Sequence, residues 1–249
     1  MFNFFIDASN KNGDSYHISG DNYNHIKNVL RMAVGDEILV SCDSKSDLCQ
    51  ISQIDSDCII AKIIKENANC TELPVSITLF QGLPKSDKLE LIIQKTVELG
   101  VSEIVPVEMK NCVVKLDEKK KTNKVTRWQA ISESAAKQSK RNVIPKIGNV
   151  IPFADMINLI ADYDMFLVPY ENENGMKATV DALGKIKSGM RIGVLIGPEG
   201  GFDDFEINKA VQFGGIPLSL GKRILRTETA AIATVSLLML YSEMNLGGD

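Results

Sequence analysis

Leu195-Ile196-Gly197-Pro198-Glu199-Gly200-Gly201-Phe202 and, further on, Leu220-Gly221-Lys222-Arg223-Ile224-Leu225-Arg226-Thr227-Glu228-Thr229-Ala230 are the stretches that decide how this chain folds. In the first, the apolar run 192–196 passes into a loop carrying three glycines. Continuous apolar runs of that length suit strands buried on both faces of a parallel sheet. Glycines after such a strand admit positive φ and let a ligand lie against the backbone. The second stretch repeats the arrangement: run 216–220, the turn residue Gly221, then Arg226 at the mouth of an apolar helix. One glycine turn after a strand is only a turn. Two strand ends facing a common crevice are where α/β sheets hold ligands.

Outward from these stretches, strands are expected at 75–80, 104–107, 165–168, 192–196 and 216–220, with helices at 125–139, 153–160, 203–213 and 227–241. That alternation is the pattern of a parallel sheet with crossover helices. After the first strand, Leu89, Ile92, Ile93, Thr96 and Val97 recur at helical spacing up to Gly100, which is placed to end the helix. Residues 1–70 differ. Short β-like runs at 2–7, 37–42, 48–54 and 58–64, separated by turn-rich stretches such as 10–14 and 55–57, predict a small β-barrel, interrupted by one helix-like piece at 21–31. The polar segment 66–73 is the expected linker, so the chain divides into a barrel domain at 1–70 and an α/β domain at 73–249.

Composition limits the function classes. At 249 residues with 44% hydrophobic and 24% charged side chains, the chain has an ordinary soluble composition and room for two domains. The longest apolar stretch, 230–241, is shorter than the roughly 20 residues that cross a bilayer, so no membrane span is expected. The first residues lack the basic region and apolar core of a secretory signal, which points to a cytoplasmic protein. Cys42, Cys49, Cys58, Cys70 and Cys112 show no C-x-x-C spacing, and His17 and His25 are the only histidines. Reduced thiols and no metal are therefore expected. The net charge of −4 conceals a polarised molecule: between Lys110 and Lys146 eleven Lys/Arg stand against three acids, a net +8 that leaves −12 elsewhere. Such a segment suits a phosphate backbone. Within it, Lys119, Lys120 and Lys121 suggest a solvated loop, and Trp128 a core residue or, alternatively, a base-stacking one.

LIGPEGGF followed by LGKRILRTETAAIA resembles the 16S ribosomal RNA uracil-N3 methyltransferases of the SPOUT superfamily. The likeness extends over nearly the whole chain. His25-Ile26-Lys27-Asn28-Val29-Leu30-Arg31 is similar to the family's barrel motif, KSDKLELIIQKTVELG at 85–100 to its Lys-rich loop and helix, and Arg127-Trp128 with ESAAKQSKRN at 133–142 to the helix and turn near RNA. The chain departs from the family where Phe2, Asn3, Lys110 and Asn111 replace an arginine pair and a Glu-Arg pair. Its first 70 residues are also acidic, with six Lys/Arg against ten Asp/Glu.

What the resemblance implies is a PUA-like barrel that binds RNA, followed by a trefoil-knotted methyltransferase domain; a homodimer; S-adenosylmethionine as cofactor; and 16S ribosomal RNA or the small ribosomal subunit as partner. It places the cofactor against Leu195, Ile196, Gly197, Glu199, Gly201, Leu220, Gly221, Ile224, Leu225, Arg226 and Thr229. Phosphate contacts fall to Arg31, Lys85, Arg127, Lys137, Lys140 and Arg141, with Lys88 beside them. Arg226 would stabilise charge developing on a uracil oxygen, or else pair structurally with Glu199 or Glu228. Glu228 would take the imide proton, or else sit in the first turn of the last helix against its dipole, with Thr227 as N-cap. That helix is apolar on more than one stripe, so it is covered by its own core and by more of the same chain or a second subunit. Two other readings stay open: another SPOUT enzyme, such as a ribose 2′-O-methyltransferase, and a non-catalytic RNA-binding assembly protein that keeps the pocket.

Overall fold

The computed structural model describes residues 1–171 and 175–247; residues 172–174 and 248–249 of the expected α/β span lie outside it. The chain separates into two compact units, residues 1–72 with 136–144 and residues 73–135 with 145–249.

The first unit is a six-stranded sheet. Strands β1 (Asn3–Phe5), β2 (Lys11–Asn12), β3 (Ser15–Ile18), β4 (Glu37–Cys42), β5 (Lys45–Ile54) and β6 (Ile59–Lys65) lie in the order β1-β4-β5-β6-β3-β2, antiparallel except for β1 beside β4. Two-residue turns with φ above zero reverse the chain at Asp43 and Ser44 between β4 and β5. That backbone matches the twist of paired strands, and Asp tolerates it better than most residues. The region 10–14, which sequence suggested was only a turn, is the β2–β3 hairpin, with Gly13 at φ +59°. The helix expected at 21–31 forms as α1 (Gly20–Asn24) and then widens, Leu30 N–H donating to the His25 carbonyl five residues back, before Arg31 at φ +54° ends it. Phe4, Tyr16, Ile18, Ile26, Ile38, Val40, Ile51 and Ile59 form the core of this unit. Burial there pushes the Cys49 thiol up to about 12, which leaves it an unreactive apolar filler.

The second unit is an all-parallel sheet. Its strands are β7 (Ser76–Gly82), β8 (Glu103–Glu108), β9 (Lys146–Ile147), β10 (Ile151–Pro152), β11 (Met165–Pro169), β12 (Arg191–Ile196) and β13 (Ile216–Leu218). They run β10-β8-β7-β12-β11-β13, with β9 also on β8. β12 lies between β7 and β11 and is buried from Ile192 to Ile196, as its unbroken apolar run requires. Gly193 admits the neighbouring strand's Phe166, whose ring would lie 2.3 Å from an added Cβ.

The helices are α2 (Lys88–Glu98), α3 (Glu118–Gln138), α4 (Phe153–Met156), α5 (Lys177–Leu183), α6 (Asp204–Gln212) and α7 (Thr227–Leu246). Helix α2 buries Leu89, Ile92, Ile93, Thr96 and Val97 and stops before Gly100 at φ +97°, as the spacing predicted. The 153–160 helix is a single α turn continued by a 3₁₀ segment, Ile157–Asp162. Lys119, Lys120 and Lys121 are not in a loop: they belong to the first turn of α3, opened by the Asp117 carboxylate accepting from the Lys120 N–H at 2.8 Å, and Lys121 pairs with Glu108 and Glu118. Trp128 is buried, which rules out base stacking by its ring. By length and composition alone α7 is apolar enough to cross a bilayer, contrary to the expectation from the 230–241 stretch. It packs instead on α2, β12 and β7, with Ala231, Val235 and Leu238 fully buried.

Candidate functional site

Both glycine turns open at the C-terminal edge of the parallel sheet, after β12 and after β13, and they wall one cavity of about 420 Å³. That size is in the range of small-molecule sites. Nine of the eleven residues expected to hold a cofactor line it: Ile196, Gly197, Glu199, Gly201, Leu220, Gly221, Ile224, Leu225 and Arg226. Leu195 does not, because in a strand its side chain alternates away from that of Ile196 into the core. Thr229 does not either; it lies about half a helical turn round α7 from Thr227, off the lining face on which Thr227 and Ala230 lie. Sequence reasoning missed the third wall, Pro169, Tyr170 and Glu171 at the end of β11. Tyr170 packs edge-on against Phe202 of the first turn, ring centroids 6.1 Å apart.

The turns are held from several sides. Gly201 takes φ +68° and Gly221 φ +110°, a region closed to most side chains. Gly82 lies under Pro198, whose ring would be 2.7 Å from an added Cβ. Asn111 donates to the carbonyls of Gly200 and Gly201 at 3.1 and 3.3 Å. The Thr227 hydroxyl donates to the Gly197 carbonyl at 2.7 Å, which ties the start of α7 to the first turn. Thr179 of α5 does the same for the second turn, donating to the Ser219 carbonyl at 2.7 Å.

Charges sort themselves around the cavity. Lys88, expected at a phosphate, lines it and sits 3.1 Å from Glu199 and 3.2 Å from Glu228. Burial alone would raise the Glu199 carboxyl, but the backbone N–H of Lys85, its own N–H and the Lys88 ammonium together hold it below the usual range. These contacts favour the charged form of Glu199. Glu228 lies in the first turn of α7, does not line the cavity, and turns a buried Oε2 towards Lys88. Because Lys88 takes both carboxylates, neither pairs with Arg226; among the described residues Arg226 has no ion pair. As N-cap of α7 it gives that helix no side-chain cap either. Among the described residues its guanidinium is thus without a carboxylate partner at the cavity, next to the partly positive end of a long helix.

The cavity suits a ligand such as S-adenosylmethionine by the chemistry of its walls. Ile196, Phe202, Leu220, Ile224 and Leu225 present an apolar surface for a base, and Ile224 is 84% exposed in the absence of one. Carboxylates at Glu171 and Glu199 and cations at Lys88, Lys222, Arg223 and Arg226 meet a ligand that carries both signs.

The residues expected at RNA divide between the units. Lys85 and Arg127 lie in the second, both exposed, with Arg127 2.8 Å from Glu90. Arg31, Lys137, Lys140 and Arg141 lie in the first. Arg31 and Lys140 are exposed and Lys137 half-buried. Arg141 is a correction: it is 3% exposed, and its guanidinium is taken by Glu72, which also accepts from the Asn142 N–H at 2.9 Å. A side chain so engaged pins the 136–144 segment within its own unit and has no reach to a phosphate. Among the described residues no cluster of His, Cys, Asp or Glu has a metal-binding arrangement.

A family described as RNA methyltransferase domain matches residues 71–239, and one described as RNA methyltransferase PUA domain matches residues 18–64. The chain is 35% identical to the ribosomal RNA small subunit methyltransferase E of Bacillus subtilis (strain 168), over 100% of both chains. It is 33% identical to the protein of that name from Mesomycoplasma hyopneumoniae (strain 232), over 93% of this chain and 96% of the relative. A crystal structure of a ribosomal RNA small subunit methyltransferase E from Neisseria gonorrhoeae bound to S-adenosyl methionine is similar with a TM-score of 0.80 at 28% identity, covering 96% of this chain and 97% of that one.

Proposed function

This chain belongs to the RNA methyltransferase family, together with the ribosomal RNA small subunit methyltransferases E, and from that premise we propose that it methylates N3 of a uracil in the 16S ribosomal RNA of the small subunit, using S-adenosylmethionine. The observation that carries this reading is the convergence of the two glycine turns on one cavity beside an arginine that has no ion pair among the described residues.

S-adenosylmethionine, when bound, supplies a methyl group on a sulfonium that departs as a neutral thioether. The protein's part is to align, to exclude water and to manage charge. Backbone groups at Gly197–Gly201 and Leu220–Leu225 hold the cofactor, with Ile224 and Leu225 over its base. The imide proton passes to solvent first, and the N3–C bond then forms as the S–C bond breaks, the uracil anion and the sulfonium both becoming neutral. Arg226 faces the uracil oxygen that gains charge as N3 is deprotonated; a preorganised donor of this kind is worth about 3–4 kcal/mol in a dry site. Glu228 has a structural part in this scheme, paired with Lys88 and complementing the α7 dipole.

Further parts of the reading rest on family membership: the trefoil knot through which the second turn would be threaded, the division into an RNA-binding PUA-like barrel at 1–70 and a methyltransferase domain at 73–249, and a cytoplasmic site of action. A homodimer is supported as well by Leu240 and Met244, which leave apolar surface of α7 exposed at 47% and 74%. Arg31, Lys85, Arg127, Lys137 and Lys140 remain the proposed phosphate contacts.

The test is calorimetry of the full chain with S-adenosylmethionine, followed by incubation with unmethylated small subunits and mass spectrometry of the nucleosides. Binding and 3-methyluridine are expected. A 2′-O-methyl nucleoside would move the chain to another reaction, and binding without any methylated product would make it an assembly factor.

A further inference from the structure

Gln81, at the end of β7, has a completely buried side chain and does not line the cavity. Its Nε2 donates to the Thr227 hydroxyl and to the Gly82 carbonyl, each at 2.9 Å. The direction of the first bond is fixed by counting protons. The single hydroxyl proton of Thr227 goes to the Gly197 carbonyl at 2.7 Å, so the bond to Gln81 uses an amide N–H. A relay Gln81 to Thr227 to Gly197 thus joins the ends of β7 and β12 and the first residue of α7. Gln81 Oε1, by contrast, is buried and has no hydrogen-bond partner among the described residues. A buried orphan acceptor is unfavourable, and a leucine of similar size would avoid it. What glutamine supplies and leucine lacks is the amide donor, shared between the Gly82 carbonyl of the same strand end and the Thr227 hydroxyl, and only the second bond reaches another element.

We propose that Gln81 is a positioning residue: its amide orients the Thr227 hydroxyl, which clamps Gly197 to the start of α7 and so sets the spacing of the two glycine turns and the placement of Arg226. This inference rests on the functional reading given above. Gln81 itself touches no ligand. Its effect on S-adenosylmethionine affinity and on turnover passes wholly through one hydroxyl.

The full-length protein is compared with Gln81→Leu, Thr227→Ser, Thr227→Val and the Gln81→Leu/Thr227→Val double variant, by calorimetry with S-adenosylmethionine and by kcat and KM on unmethylated small subunits. Thr227→Ser, which keeps the hydroxyl and loses only a methyl group at the cavity wall, should lose less affinity than Thr227→Val. Gln81→Leu and Thr227→Val should each lose about tenfold in affinity, the effect of one buried hydrogen bond, with kcat falling as well and KM for the subunit unchanged. The double variant should be no weaker than Thr227→Val alone. A further loss from Gln81→Leu in the Thr227→Val background overturns the inference, and so does a fall in Tm with affinity and kcat intact. If Gln81→Leu does not fold, the serine and valine variants decide between the same outcomes: equal affinity in both overturns the inference. A wild type that binds no S-adenosylmethionine overturns the functional reading together with this inference, whereas a binding wild type with unaltered variants overturns this inference alone.

Discussion

Helices α6 and α7 begin alike in sequence, each after a strand, a glycine turn and with an acid in its first turn, yet their N-termini are finished in opposite ways. At α6, Asp203 accepts from the Phe205 N–H and Glu206 reaches back to the Asp203 N–H, a complete capping box. Lys110 adds its ammonium to Asp203 and its N–H to Glu206. At α7 the cap is Arg226, which offers no acceptor, and the first-turn acid Glu228 is turned to Lys88. Free N–H groups at a helix start need a partner, and anions favour them. The glycine loop that looks most like a ligand cradle in sequence therefore leads into a sealed helix, while the second turn leads into an open one at the cavity wall. On the proposed reading, charge developing in the reaction is met at α7.

The largest consequence concerns Arg226. Arg226→Ala should lower turnover by a hundredfold or more while changing S-adenosylmethionine affinity little, since a donor aimed at the transition state contributes about that much. Asp203→Ala, at the equivalent position of α6, should leave turnover within about twofold because its helix start faces no reacting group. Single-turnover methylation of unmethylated subunits checks both. Equal losses in the two variants would erase the distinction between the helix starts.

Much of this contrast was legible in the sequence, for identifiable reasons. Strand β12 announces itself because a strand buried on both faces must be apolar along its length, and Gly100, Gly201 and Gly221 because their backbones take positive φ; β13, a half-buried edge strand, is marked only by the glycine turn that follows it. Pairings were not legible. The reading that pairs Arg226 with Glu199 or Glu228 rests on charged residues at loop mouths often pairing, but Lys88, from α2, takes both carboxylates. Arg141 counted towards a basic segment, and nothing local reveals the Glu72 that buries it. Helix α5 escaped notice because it buries only Thr179 and Ala182, too small a stripe to register as periodic. The start of α3 escaped because a run of Lys and Thr has helix propensity without apolar spacing.

A middle-sized effect tests how Lys88 keeps the acids away from Arg226. In Lys88→Met, two of the influences that hold the Glu199 carboxyl down disappear, so its titration should move up from below the ordinary 4.5. The depressed carboxylate of the wild type adds stability above that ordinary value, and the contribution is lost as pH falls through the folded one; in the variant the contribution should be smaller and its loss complete at a higher pH. Arg226 should then be drawn to the freed carboxylates, which lowers turnover several-fold, roughly the strength of a partly exposed ion pair. Carboxyl NMR titration and kcat check the two halves. A Glu199 titration unmoved by the substitution would show that backbone N–H groups alone hold it.

The smallest effect separates charge from hydrogen bonding in the sealed cap. The Asp203 carboxyl is held below its ordinary 3.8 first by Lys110 and then by the Phe205 N–H. Asp203→Asn keeps an acceptor for the helix start and discards the ion pair, whereas Asp203→Ala discards both. Near pH 7 alanine should lower Tm by about 2–4 °C, the effect of losing an N-cap in a chain of this size, and asparagine by less. Because the folded value is depressed, the carboxylate contributes stability above 3.8, and the contribution fades as pH falls through the folded value. The melting temperatures of wild type and asparagine variant should therefore converge as the solution is acidified below that point, while alanine stays lower, since it still lacks an acceptor. Convergence of all three would mean that the cap at α6 works by charge alone, and its contrast with the open start of α7 would then be one of electrostatics, with no part for the capping hydrogen bonds.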